Sequence, residues 1–305
     1  SSAASDVYKR QGYRKLMLFV VCLFIVSHFF SFASSEYWLL VCSRIGVACS
    51  HAIFWSIVTP LAVEVAPPRK KSTAISMIVV GSSVAMIVGL PLGRLLGLYL
   101  GWRITFLSIG LIALLALFCL FTLFPKVQCK NSIALRDVPT LLTQPSLISV
   151  YILTPLIMTG NFTVYSYIEP FLNQVGGITP NLITSILLAY GAVGLLSSWL
   201  FSKFYDRHPL TFIKVTTLGI PLALFLFNLT PNLTAVTVIV CIGWGFFVTL
   251  YNLVFQSLIL LAAPKGSAIA MSVYSGIYNI GIGSGAFVGG LVCSKLTIEY
   301  IGYIG

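Results

Sequence analysis

The chain has 305 residues, of which 58% are hydrophobic and only 8% are charged, and its mean hydropathy is +1.00. Charged residues make up about a quarter of a soluble domain, so this composition excludes a soluble globular protein and indicates an integral membrane protein. The formal net charge of +11 would suggest a nucleic-acid partner in a soluble protein, but here the cations fall in alternate short loops between apolar runs. That pattern is typical of orientation signals in membrane proteins, so no nucleic-acid partner is predicted.

At least nine stretches are long enough to cross a bilayer. Each holds roughly 20 mainly apolar residues, and the runs are continuous rather than alternating, which favours helices over a β-barrel. The polar residues 1–11 are interpreted as a non-native or linker-like tail outside the fold. In chain order the spans are predicted near residues 16–33, 37–65, 73–97, 103–124, 146–171, 181–204, 211–229, 234–261 and 268–292.

The sequence is internally duplicated. The tetrapeptides AISM at 74–77 and AIAM at 268–271 nearly match, and each follows a Pro-Lys loop and precedes a Gly-dotted apolar run. Gly89 and Gly283 stand at the same offset in the two copies. Repeats in the same orientation are typical of transporters built from two bundles related by an axis along the membrane normal.

Two halves of six spans each would make the repeated helices the fifth and the eleventh. Only two spans are predicted before residue 73, so we expect the chain to be a fragment lacking its first two spans and most of its twelfth. The predicted organisation is a partial N-terminal bundle at 12–125 (helices 3–6), a cytoplasmic linker at 126–145, and a C-terminal bundle at 146–305 (helices 7–11 and the start of 12). Most Lys and Arg residues lie in the N-terminal segment and the loops on its side, which predicts a cytoplasmic N-terminal side.

An arginine inside a predicted span needs an explanation, because a charge in the bilayer core costs several kcal/mol unless it reaches water or a partner. Arg44 is therefore interpreted either as a cavity-facing cation that sets the proton affinity of a carboxylate or binds substrate hydroxyls, or as a side chain that extends to the outer interface. His51 and Trp55 share its helix face. His51 is a candidate proton carrier or a neutral hydrogen-bonding residue, and Trp55 a candidate substrate contact.

Asn161, Tyr165 and Glu169 follow one another at steps of four, which predicts one helix face carrying an amide, a phenol and a carboxylate. Amides and phenols suit sugar hydroxyls, and a tyrosine ring can lie against the apolar side of a pyranose. Glu169 is a candidate for proton coupling. The alternatives are that the tyrosine is an interfacial anchor and that the glutamate lies at a hydrated helix end.

Further polar residues mark two later spans. Asn252 and Gln256 form a polar stripe with Trp244 two turns earlier, and Asn279 lies among glycines in a later span. They are candidate substrate contacts or hydrogen bonds between helices. Pro91 is expected to bend its span. Six glycines are interpreted as helix-packing positions: Gly81, Gly89, Gly93, Gly276, Gly283 and Gly285.

These residues resemble the sugar efflux transporters of the drug:proton antiporter branch of the major facilitator superfamily, over essentially residues 14–305. The resemblance implies proton coupling by Arg44, an antiporter motif at Gly89-x-Pro91-x-Gly93 that departs from the usual glycine pattern, and a degenerate gating-loop motif that includes Asp206 and Arg207. The motifs that carry it are Ser43 to Ala48, His51 to Ile57, Gly89 to Arg94, Tyr165 to Phe171, Ser202 to Arg207 and Asn279 to Gly283.

The sequence therefore predicts an all-α integral membrane protein of the major facilitator fold, with two six-helix bundles in the complete form. We expect a monomeric, proton-coupled secondary transporter in the bacterial inner membrane that exports small sugars by alternating access. The proton is the coupling ion, and no metal or other cofactor is predicted. No two His, Cys or carboxylate side chains stand at ligand or nucleophile-base spacing within a span, which argues against an enzyme. The alternatives are efflux of drugs or nucleosides on the same fold, and a membrane sensor without transport.

Overall fold

The computed structural model describes residues 13–123, 139, 143–264 and 266–305, and within these ranges its regular structure is helical. Two short 3₁₀ turns, Pro68–Lys70 and Ile298–Tyr300, accompany the α-helices. The α-helices of the described chain are α1 Tyr13–Ala33, α2 Tyr37–Val65, α3 Lys71–Leu100, α4 Trp102–Leu123, α5 Pro145–Tyr165, α6 Ile168–Gln174, α7 Pro180–Ala192, α8 Gly194–Phe204, α9 Pro209–Leu229, α10 Thr234–Ala262, α11 Ser267–Lys295 and α12 Ile301–Ile304.

The predicted membrane spans are confirmed: the described residues contain nine helical segments long and apolar enough to cross a bilayer. Helices α7 and α8 together make one of them, Pro180–Phe204. The boundaries differ most at the predicted span 146–171. There α5 ends at Tyr165, and Tyr167 leaves helical geometry with φ of −120° and ψ of 16° before α6 begins.

One compact unit comprises the described residues within 13–65, 88–143 and 263–275. Helix α1 lies between α2 and α4 and packs on both. Its apolar contacts centre on Met17, Ile57 and Leu61. The other end of the same helix group is polar, because α1 and α2 meet there through buried serines such as Ser31 and Ser43.

The second compact unit comprises residues 66–87, 144–262 and 276–305. Helix α10 is its centre and packs against α5, α7, α8 and α9. Accordingly, α10 contributes some of the largest fully buried side chains, including Trp244, Tyr251 and Phe255. The short helix α12 closes on α5 and α9, and the Gly302 backbone N–H donates to Asn228 Oδ1 at 2.9 Å.

Each of the two duplicated helices is divided between these units, and the order of the two units along the helix is opposite in the two cases. Helix α3 belongs to the second unit through residue 87 and to the first from residue 88, whereas α11 belongs to the first unit through residue 275 and to the second from residue 276. The repeated tetrapeptides at 74–77 and 268–271 lie in the matching portions. The predicted tail 1–11 and most of the linker 126–145 lie outside the described residues, and the division into halves 12–125 and 146–305 stays a prediction.

Most of the glycines predicted to be packing positions are not in close contact. Within their own units, a Cβ added at Gly81, Gly89, Gly93, Gly276 or Gly283 would meet no described atom within 4 Å. Only Gly285 of that set is tightly packed. A different stripe at four-residue spacing, Gly281, Gly285 and Gly289, faces α5. Gly283 is two positions away from that stripe, about 200° around the helix, and so points elsewhere.

Candidate functional site

Four aromatic rings and one amide meet inside the second unit. We call this set the aromatic cluster: Asn161 and Tyr165 from α5, Tyr190 from α7, Phe227 from α9 and Trp244 from α10. The Trp244 ring centroid lies 5.3 Å from that of Tyr190, 5.6 Å from that of Phe227 and 6.0 Å from that of Tyr165. The Tyr165 and Tyr190 rings are 5.3 Å apart. Five side chains from four helices thus converge at one place.

A hydrogen bond fixes the centre of the aromatic cluster. Trp244 Nε1 donates to Asn161 Oδ1 at 2.8 Å. Asn161 is only 1% exposed and Trp244 is fully buried. A buried polar group without a partner is costly, so this bond satisfies the indole N–H and the amide oxygen together and orients both side chains.

A close approach of two helices places Tyr190 against Trp244. A Cβ at Gly245 on α10 would collide with the Tyr190 carbonyl oxygen on α7. Glycine at this position therefore lets the two backbones come close enough for the neighbouring rings to pack. No distinctive spacing marks Tyr190 in the sequence, and sequence reasoning missed it; Trp244 was noticed only as a neighbour of the Asn252 stripe.

A second set of polar side chains lies on α10 about two turns after Trp244. The Tyr251 hydroxyl donates to Thr154 Oγ1 at 3.0 Å, and the Tyr251 ring stacks on Phe255 at 4.0 Å. The Asn252 amide nitrogen donates to the Val248 carbonyl oxygen at 3.0 Å, and its side chain also hydrogen-bonds the Tyr278 hydroxyl. The predicted residue Asn252 thus ties α10 to α11, and Tyr251, which the sequence analysis did not single out, ties α10 to α5.

The remaining predicted substrate contacts are placed differently from one another. Gln256 is buried with 6% of its surface exposed, whereas Asn279 is exposed on α11. Trp55 is half-buried on α2 in the first unit. The structure therefore brings Asn161 and Tyr165 together, with Trp244, and does not bring Asn279 into that group.

Glu169 does not continue the helix face of Asn161 and Tyr165. Since α5 ends at Tyr165, Glu169 lies in the first turn of the separate short helix α6 and is exposed. The prediction of one continuous polar face is wrong for this residue, because the turn at residues 166–167 breaks the helical register.

Arg44 lies in a polar pocket of the first unit. Its Nη2 donates to Ser31 Oγ at 2.9 Å, and Ser31 Oγ shares a 2.7 Å hydrogen bond with Ser43 Oγ. The guanidinium carbon is 4.3 Å from the centroid of the Phe106 ring. Arg44 Nε is buried and has no hydrogen-bond partner among the described residues. The guanidinium is thus held by the Ser31 hydroxyl and one aromatic face. On the same helix, His51 is exposed and packs edge-on against Trp55 at 6.0 Å.

The gating-loop residues contact the start of α3 within the second unit. Asp206 Oδ2 accepts a hydrogen bond from Ser72 Oγ at 2.9 Å, and Thr73 Oγ1 shares one of 2.9 Å with Ser202 Oγ. Next to Asp206, the ring of Tyr205 stacks on Phe201 at 4.3 Å, and burial raises the pKa of Tyr205. Arg207 is exposed. The side chain of Pro91 lies outside the described residues.

No group of three or more His, Cys, Asp or Glu side chains within the described ranges is placed to hold a metal ion. The site instead offers aromatic faces, amides and hydroxyls inside a helical membrane protein. Such groups bind and orient an uncharged polar molecule without changing its bonds.

A family model described as Major Facilitator Superfamily matches residues 2–290. The chain therefore belongs to this superfamily, which is a family of transporters and not of enzymes. The expected major facilitator fold is confirmed, and the chain is a multi-pass membrane protein of a superfamily whose transporters bind small-molecule substrates within the membrane.

Solved structures of the same fold are similar along nearly the whole chain. The human organic anion transporter MFSD10 (TETRAN) matches with a TM-score of 0.77 and 17% identity, over 96% of this chain and 74% of its own. The E. coli fucose:proton symporter FucP matches with a TM-score of 0.71 and 15% identity, over 99% and 83%. A bacterial homologue of the human lysosomal transporter Spinster gives a TM-score of 0.59 and 16% identity, over 92% and 67%. At these identities the similarity shows the fold.

Proposed function

We propose that this chain is a proton-coupled secondary transporter of the sugar efflux type, which exports small sugars or sugar-like compounds by alternating access. The membrane is the bacterial inner membrane, with the N-terminal side in the cytoplasm, and the protein acts as a monomer. The proton is the coupling ion, and no other cofactor takes part.

The observation that supports a sugar substrate is the aromatic cluster. A pyranose has apolar faces that pack on aromatic rings and an equator of hydroxyls that both donate and accept hydrogen bonds. Asn161, Tyr165, Tyr190 and Trp244 provide both kinds of contact in one place. Sugar hydroxyls replace the hydrogen bond between Trp244 and Asn161 when the substrate enters, and Asn252 and Gln256 extend the polar surface along α10.

Coupling to protons is assigned to Arg44, with His51 and Glu169 as proton-carrying candidates. The gradient acts by differential protonation, which shifts the populations of inward-facing and outward-facing states. The fucose:proton symporter FucP, a protein of similar fold that is named for a sugar and a proton, supports this pairing. The direction of transport rests on the resemblance of Gly89-x-Pro91-x-Gly93 to an antiporter motif.

The experiment is flux of labelled arabinose and lactose through the protein in proteoliposomes, driven by an imposed proton gradient. We expect sugar flux that collapses when an uncoupler is added. Flux that is insensitive to the uncoupler would refute proton coupling while leaving sugar transport intact, and binding of sugar without any flux would indicate a sensor.

Efflux of drugs or nucleosides is the second candidate, because the aromatic cluster offers four rings that also suit a planar apolar molecule. A labelled cationic drug and a labelled nucleoside are therefore assayed beside the sugars. Drug flux in the absence of sugar flux would assign the chain to multidrug efflux.

A further inference from the structure

Cations gather at one end of the second unit. They come from two segments, residues 69–71 at the 3₁₀ turn and the start of α3, and residues 203–214 from the end of α8 into the start of α9. The hydrogen bonds Ser72 to Asp206 and Thr73 to Ser202 join these segments. We call these exposed side chains the basic end: Arg69, Lys70, Lys71, Lys203, Arg207 and Lys214. Over residues 66–87 and 200–215 the only acidic side chain is Asp206.

Lys203 has a defined position within the basic end. Its Nζ lies 4.9 Å from the centroid of the Trp199 ring and 5.3 Å from that of Phe204. An ammonium over aromatic faces is held electrostatically by the rings and keeps its N–H groups available to a further acceptor. No hydrogen bond joins the Lys203 side chain to another described residue.

Apolar surface adjoins these cations directly. Trp199 is 53% exposed, and Leu196 on the same helix and Leu210 at the start of α9 are also exposed. Tryptophan is enriched where the hydrocarbon of a bilayer meets its head groups, because the ring is apolar and the indole N–H is polar. The basic end therefore combines a head-group region with an acyl-chain region.

We propose that the basic end binds one anionic glycerophospholipid, whose phosphate is held by Lys203 and Arg207 and whose acyl chains lie along Trp199, Leu196 and Leu210. Basic clusters next to membrane helices attract anionic head groups. A free phosphate could use the cations but would leave the neighbouring apolar surface without a partner, so a lipid fits the surface better. This inference goes beyond the transport function and does not depend on the identity of the transported molecule.

Native mass spectrometry of the full chain in nonionic detergent tests the proposal, with phosphatidylglycerol and phosphatidylcholine of identical acyl chains as probes. We expect one phosphatidylglycerol to be retained in preference to phosphatidylcholine. Replacing both cations, Lys203→Gln with Arg207→Gln, is expected to weaken this retention about 30-fold, since each cation near a membrane surface contributes about a fivefold factor.

Two variants control for charge and for folding. Lys15→Gln with Lys295→Gln removes the same net charge elsewhere and is expected to retain phosphatidylglycerol as the unsubstituted chain does. Lys203→Arg with Arg207→Lys keeps both charges in place and is also expected to retain it. Equal retention of the two lipids by the unsubstituted chain, or equal loss in both double Gln variants, overturns the proposal. Displacement of the lipid by inorganic phosphate also overturns it, in favour of a free-anion site.

Discussion

Asn161 and Trp244 are the residues on which the candidate site most depends. Each satisfies a buried polar atom of the other, and the Trp244 ring also contacts three of the surrounding rings of the aromatic cluster. The indole N–H and the ring thus have separate roles, one in hydrogen bonding and one in packing. A substitution that keeps a ring and removes the N–H separates the two.

Trp244→Phe is expected to lower the free energy of unfolding by about 1–3 kcal/mol, because the buried Asn161 oxygen loses its donor and the smaller ring leaves a void. Thermal unfolding of the purified chain in detergent measures this. Trp102→Phe is the matched control, since Trp102 is partly exposed, and is expected to change the midpoint little. Equal shifts in the unfolding midpoint of the two variants would contradict a stabilising role for the buried hydrogen bond between Trp244 and Asn161.

Arg44→Ala is expected to abolish proton-driven export and leave flux at the level of protein-free vesicles. The reason is that the proposed function assigns proton coupling to Arg44, a cation within a span whose guanidinium contacts Ser31 and Phe106. Flux in proteoliposomes with and without an uncoupler measures the effect, and Lys295→Ala is the charge-loss control. Unchanged proton-driven export in Arg44→Ala would remove Arg44 from the mechanism.

The sequence identified two members of the aromatic cluster as site residues but not the rest. Asn161 and Tyr165 stood out because an amide and a phenol one turn apart are unusual in an apolar span. Tyr190 carried no such signal, since its role depends on the approach of α7 to α10 at Gly245, a contact between residues far apart in the chain. Glu169 was assigned to the wrong face because a four-residue spacing has meaning only while the helix continues.

At the scale of elements, membrane spans could be predicted because each depends on local composition, whereas helix contacts could not. The glycine stripe of α11 illustrates the difference. Cβ atoms at Gly281, Gly285 and Gly289 would collide with Met158, Phe162 and Tyr167 on or beside α5. Nothing local distinguishes these glycines from Gly283, which lies between them on another face.

Gly285→Ala is expected to destabilise the chain by about 1–3 kcal/mol, because the new methyl group would lie 2.8 Å from both Phe162 Cβ and Thr163 N and would force α11 away from α5. Gly283→Ala introduces the same group two residues away, where no described atom of its unit lies within 4 Å, and is expected to change stability little. Thermal unfolding in detergent compares the two variants. A similar loss of stability in both variants would show that close packing of α11 on α5 is not the reason why glycine is needed at position 285.

The contact between the start of α3 and the turn after α8 also belongs to the element scale. Ser72→Ala removes the hydroxyl that donates to Asp206 and is expected to cost about 0.5–1.5 kcal/mol locally. Hydrogen exchange over residues 66–80 is the measurement, and we expect faster exchange in the variant. Ser82→Ala is the control, since Ser82 bonds only a carbonyl of its own helix, that of Ile78. Unaltered exchange in Ser72→Ala would show that the contact does not hold the helix start.

At the scale of the whole molecule, the duplication recognised in the sequence reappears in the way α3 and α11 are divided between the two compact units. Each helix has its repeated tetrapeptide in one unit and its later residues in the other. The repeat itself was visible because it is a property of the sequence. The point at which each helix passes from one unit to the other could not be predicted from the sequence, because it depends on packing between distant segments.

Under the proposed sugar transport, the bond between Trp244 and Asn161 would also determine which ligands the aromatic cluster rejects. A ligand that separates the two residues must donate to the amide oxygen and accept from the indole N–H, or leave both buried groups unsatisfied. A sugar hydroxyl can do both, whereas a purely apolar molecule can do neither and is disfavoured by about 1–3 kcal/mol for each unsatisfied group. Discrimination against apolar competitors would thus arise, under the proposed function, from a hydrogen bond that already exists before any ligand binds.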